Sequence, residues 1–205
     1  EKREEFEQIE AVCKADLFVS QDEKGKMRIT FRTLAHCELV WTQMITHILS
    51  NVSSGTINYS LQPHYFYVYT RPQTNVYWEK EHRKRGVKQR FVCTHPYTLD
   101  KLLLKDLDTR LRSLSEHANG FNTLKQPSNV YYSVVGSYVC KVEFDETINK
   151  EFESLIKSQT SVSLSSEAQH RFIELSKKRG TFILTLERND KKAKMMVSKV
   201  RKLFE

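Results

Sequence analysis

The stretch NVYYSVVGSYVCKVEFDETINKEFESLIK, residues 129–157, carries both of the periodicities from which the fold is built. Residues 129–135 and 137–144 are rich in Val and Tyr and meet at Gly136. They predict two antiparallel strands joined by a tight turn, with glycine supplying the left-handed backbone. Directly afterwards Ile148, Phe152, Leu155 and Ile156 recur at helical spacing, which predicts a helix over 146–157. A hairpin that runs straight into an amphipathic helix points to an α+β arrangement.

Working upstream, Leu103, Leu107, Leu111 and Leu114 lie along one face of a predicted helix over Leu99–His117. Thr98 reads as its N-cap and Asn119-Gly120 as its stop. Before it, 56–61, 64–70, 75–81 and 87–94 read as an antiparallel series of strands, with 80–86 as a hairpin tip closed by Gly86. Cys37, Val40, Trp41, Met44, Ile45, Ile48 and Leu49 form a stripe spaced by three and one, which predicts a strong helix over 35–51. Strands over 16–20 and 26–32 precede it, and a first helix covers 2–14. Downstream, Ser165 or Ser166 caps a helix to Lys178, Thr181–Glu187 is a strand, and 190–204 is a basic helix. The expectation is an α+β fold: a curved, mainly antiparallel sheet of about seven to nine strands with about five helices. Residues 1–205 read as one module, with two intimate halves, 1–95 and 96–205, as the alternative. The chain begins with Glu1 rather than Met, which fits excision from a longer protein.

Composition narrows the class. Hydrophobic residues make up 39%, with 11 Phe and 9 Tyr, which is globular rather than disordered. No apolar run is long enough for a membrane span. Cys13, Cys37, Cys93 and Cys140 contain no CxxC pair, so zinc-ribbon and thioredoxin readings fail. Each sits among apolar neighbours, so all four are expected as buried, reduced thiols of an intracellular protein. Only 6 residues are Gly and 4 are Pro, against average usage of roughly 7% and 5%. Glycine-rich loops let a backbone approach phosphates, and their scarcity argues against a nucleotide-dependent enzyme. No GxSxG, Walker A or GxGxxG motif occurs, and no cofactor is expected.

The net charge of +8 favours an acidic partner. Five of the nine residues 82–90 are permanent cations: Arg83, Lys84, Arg85, Lys88 and Arg90. At a hairpin tip flanked by Tyr65, Phe66, Tyr67, Tyr69, Tyr77 and Trp78, they would meet phosphates while the aromatics stack on unpaired bases. The plain alternative is a solvated tip over an aromatic core. Lys191, Lys192 and Lys194 form a second cluster in the first turns of a helix, where the dipole disfavours cations. Glu143 and Asp145 alternate on one strand and form a weak metal candidate, which needs a second acidic strand to converge on it. The function expected from these residues is a non-enzymatic nucleic-acid-binding module, with RNA or single strands preferred, of an intracellular and nuclear assembly with further protein partners. The alternatives are a protein-interaction scaffold and, third, a metal-dependent phosphoryl-transfer enzyme.

Overall fold

The computed structural model describes residues 18–21, 26–70, 72–111, 115–119 and 126–205. The expected helix over 2–14 lies outside them. The fold is mixed α+β. In chain order the elements are β1 (Phe18–Gln21), β2 (Met27–Phe31), α1 (Leu34–Ser50), β3 (Ile57–Gln62), α2 (Tyr67–Thr70), α3 (Pro72–Arg85), β4 (Lys88–Cys93) and α4 (Thr98–Leu111). There follow β5 (Ser115–Asn119), β6 (Val130–Val135), β7 (Tyr138–Glu143), α5 (Glu146–Ser158), α6 (Ser166–Lys177), β8 (Phe182–Arg188) and α7 (Asp190–Arg201).

The strands form one eight-stranded sheet in the order β1-β2-β8-β7-β6-β3-β4-β5. The final strand therefore inserts between β2 and β7. Every pair from β1 across to β3 is antiparallel, whereas β3–β4 and β4–β5 are parallel. Parallel neighbours cannot be joined by a hairpin and need a crossover of a dozen or more residues. Residues 63–87, carrying α2 and α3, supply one such connection, and α4 supplies the next.

The sheet separates two cores. On one face lies the larger, which includes Phe31, Leu34, Ile45, Phe66, Tyr131, Phe152, Phe172 and Phe182. Phe66, just before α2, stacks on Phe152 of α5 with ring centres 4.2 Å apart. On the other face α7 lies over β6 and β7, burying Ala193 and Val200 against Tyr59, Leu61, Val92, Val134 and Val139. Side-chain caps fix four helix starts, among them that of α7, where Asn189 accepts from the Lys192 N–H. Thr33 accepts from the His36 N–H, Asp145 from Thr147 and Ile148, and Ser165 from Ala168.

The structure corrects the reading of 63–119. The described residues contain seven helices, more than the five or so expected. Residues 64–70 and 75–81 are not strands; they fall largely within α2 and α3. Aromatic residues favour strands on average, but there the preference reflects packing on a pleated surface, and tertiary context decides. Here Tyr65 and Phe66 gain more by filling the space between sheet and helices, where each is no more than 1% exposed. The helix expected over Leu99–His117 ends at Leu111, and 115–119 adds β5 to the sheet edge.

Candidate functional site

The strand registers place the two basic clusters at the same end of the sheet. Ile57, at the start of β3, pairs with Lys88, at the start of β4. Across the sheet Asn58 pairs with Val135, Val135 with Tyr138 and Tyr138 with Arg188. Lys88 and Arg188 thus mark one end, four strand spacings apart. Strands lie about 4.8 Å apart, so the span is roughly 19 Å. α3 runs into this end just before β4, and α7 leaves it just after β8.

The expected hairpin tip at 80–86 is instead the carboxyl-terminal turn of α3. Val87 N–H bonds the His82 carbonyl at 3.0 Å and Gly86 N–H bonds that of Arg83 at 3.2 Å. Gly86 has φ +62°. This is a Schellman-type stop, in which the left-handed residue closes the last carbonyls. It gives the cations a second reason to be here, because a helix carboxyl terminus attracts positive charge.

The eight expected cations divide into three groups. Arg83, Lys84, Lys88 and Lys191 are exposed, and among the described residues none of them forms an ion pair. Arg85 pairs with Glu81, Lys192 with Glu187 and Lys194 with Asp190. Arg90 turns to the α7 side, donating to the Tyr59 hydroxyl at 3.3 Å with its guanidinium 4.9 Å from the Phe204 ring centre. Arg188 was not foreseen. It lies over Tyr138 at 5.9 Å, and a single Arg at a strand end gives no sequence signal.

Most of the expected aromatic flank is turned away from solvent: of its six residues Tyr77 alone is exposed, and Tyr67 and Tyr69 are half-buried. Tyr65 and Phe66 are core residues, and Trp78 stacks on His82 at 5.2 Å rather than facing solvent. The preference for RNA or single strands rested on strands that are not present. Asp145 spends its carboxylate on the N–H groups of Thr147, Ile148 and Thr181, and Glu143 pairs with Lys141 at 2.7 Å. Among the described residues no group of three or more His, Cys, Asp or Glu is arranged to hold a metal ion.

At the opposite end, the carboxyl ends of β3 and β4, a buried polar cluster assembles. Asp100 is the third residue of α4 and reaches back to the Tyr97 N–H at 3.0 Å, half of a capping box. The cap expected from Thr98 is thus made by Asp100. The same carboxylate accepts from the Tyr65 N–H at 2.8 Å and lies 2.9 Å from His64 Nδ1. The His64 ring stacks on Tyr97 at 5.1 Å and 13°. Asn149, on α5, donates to Glu153 at 2.8 Å. The Glu153 charge reaches His95, Tyr97 and Tyr131. Burial drives the Tyr131 phenol up strongly, helped by Asp100, and lowers His95.

No known protein family matches the chain, and no curated protein matches it. Among solved structures the fold resembles TrmBL2, an archaeal chromatin protein whose structure shows a novel mode of DNA binding. The likeness has a TM-score of 0.42 at 11% identity and covers 99% of this chain and 60% of that one. This chain therefore spans less than two thirds of that chain's length, and a likeness of this size says nothing about a ligand.

No helix among the described residues is long and apolar enough to cross a membrane. The two ends of the sheet are thus chemically distinct, one cationic and the other rich in buried acceptors.

Proposed function

We propose that this chain is a non-enzymatic module that grips the phosphate backbone of nucleic acid with the basic end of its sheet. The observation that carries the reading is the convergence of Arg83, Lys84 and Lys88 with Arg188 and Lys191 at one end. The dipole of α3 accounts for Arg83 and Lys84 in its last turn, but it does not account for Lys88, Arg188 or Lys191. Exposed ion pairs contribute only about 0–1 kcal/mol, and Arg83, Lys84, Lys88 and Lys191 lack even that among the described residues. Phosphates supply the missing partner, because each neutralised phosphate releases condensed counterions.

The spacing favours a duplex. The two clusters stand roughly 19 Å apart, wider than the major groove at about 12 Å, so they can touch the backbones on either side of it. Affinity from such contacts is indifferent to sequence. A nuclear setting and further protein partners accord with this reading. The test is fluorescence polarisation with duplex DNA, duplex RNA and single strands at low and moderate salt. The expected result is duplex binding that weakens steeply with salt. Absence of binding to any of these at low salt would leave a protein-interaction scaffold as the reading. Exposed Leu39 on α1 and Val76 and Tyr77 on α3 would then be the first surface to examine.

A further inference from the structure

We propose that the carboxyl ends of β3 and β4 form a binding site for a small organic cation, an alkylammonium or guanidinium group, held by His64, Asn149, Tyr131 and Glu153. The first ground is a set of buried polar atoms left without partners. His64 Nε2, Asn149 Oδ1 and Tyr131 Oη have none, although their residues are only 1%, 2% and 1% exposed. A buried polar atom without a partner is uncommon in native proteins and calls for a water, an ion or a ligand.

The second ground is the kind of atom left over. The bond from Nδ1 to the Asp100 carboxylate fixes the His64 ring, and in the neutral ring Nε2 is then a bare acceptor. Asn149 spends its N–H groups on Glu153 and Ser128, at 2.8 and 3.5 Å, so its oxygen remains as an acceptor. The Tyr131 hydroxyl accepts as well as donates. Gln62, the last residue of β3, adds another buried acceptor oxygen without a partner. A site rich in acceptors is complementary to a ligand rich in donors, and ammonium and guanidinium groups carry donors only.

Charge agrees with this. Two carboxylates, Asp100 and Glu153, serve this cluster, and the nearest cations along α4 and α5, Lys101 and Lys150, are exposed. A metal ion is a poorer fit, since no group of three ligating side chains assembles among the described residues. The location is also where open sheets with parallel strands place their ligands, beyond the carboxyl ends of those strands.

The experiment uses the whole chain with methylguanidine and propylamine as probes, and n-propanol and propionate as the neutral and anionic controls. Binding is read by calorimetry and by the nitrogen-15 shifts of His64. The expected result is saturable binding of a cationic probe, with a shift at His64 Nε2 and none from either control. Glu153 is partly exposed, so Glu153→Gln should fold, and it should weaken the cation about tenfold or more through loss of a charged hydrogen-bond partner. Binding that is equal for propanol and the cations, or unchanged in Glu153→Gln, would overturn the proposal. So would the absence of any saturable shift at His64 in the wild type, which would assign the leftover acceptors to buried water alone.

Discussion

His82 Nε2 lies 3.0 Å from the Asn58 side-chain nitrogen, and its Nδ1 lies 2.8 Å from the Trp78 carbonyl oxygen. Only one protonation state satisfies both contacts. Nδ1–H donates to Trp78, and Nε2 accepts from the Asn58 amide. The ring is 1% exposed, and burial lowers its pKa from 6.5 to about 4, with Arg85 adding to the effect. Above about pH 6.5 the ring is neutral folded or unfolded. As pH falls from there towards 4, the unfolded chain takes up a proton that the folded chain refuses, and stability declines. Between pH 6.5 and 4.5 His82 should account for roughly 2–3 kcal/mol of loss. Urea unfolding of the wild type and of His82→Gln over this window isolates it, because other groups titrate in both. Parallel curves would contradict the assignment.

Gly86 sits where a β-carbon would lie 2.6 Å from the Ser54 hydroxyl, at a backbone φ of +62°. Two separate costs therefore face Gly86→Ala, left-handed strain and a clash. Together they should remove roughly 1–2 kcal/mol. Ser54 is exposed and its side chain can swing away, so Ser54→Ala in the same background should restore less than half. Full restoration by Ser54→Ala would show that the clash, not the backbone, is what matters.

Cys37, Cys93 and Cys140 are free and buried, and burial raises each thiol well above its ordinary range. Attack on a thiol reagent needs the thiolate. In native protein these three should react slowly, and every thiol should react promptly in denaturant. Cys13 lies outside the described residues. Prompt reaction of three or more thiols in the native state, or a disulfide detected by mass spectrometry, would contradict this packing.

Much of the fold is legible where local pattern and long-range packing agree. The stripe of α1 buries Cys37, Val40, Ile45, Ile48 and Leu49 as its spacing predicts. Gly136 turns the β6–β7 hairpin with φ +56°, and Ser165 caps α6. Residues 63–85 fail that test. α3 has no continuous apolar stripe to reveal a helix, and Tyr65 and Phe66 mimic a strand while filling the core. The parallel register of β3 and β4 is invisible for the same reason, since it depends on that crossover being helical. The individual cations of the basic end can be read from sequence, but their meeting cannot. It depends on β8 inserting between β2 and β7, a pairing between strands far apart in the chain. The His64–Asp100 pair likewise joins residues 36 apart, on a loop and a helix.

The most direct test of the account is the salt dependence of duplex DNA binding in the wild type and in two variants. One replaces Arg83, Lys84 and Lys88 by Ala, and the other replaces Arg188 and Lys191. All five are exposed, so unfolding stability should stay within about 0.5 kcal/mol. If both clusters grip one duplex, the slope of log affinity against log salt should flatten by about 2–3 units in the first variant and about 2 in the second. A wild type that binds with a steep slope which neither variant changes would place the nucleic acid elsewhere on the molecule and refute the basic end as its site.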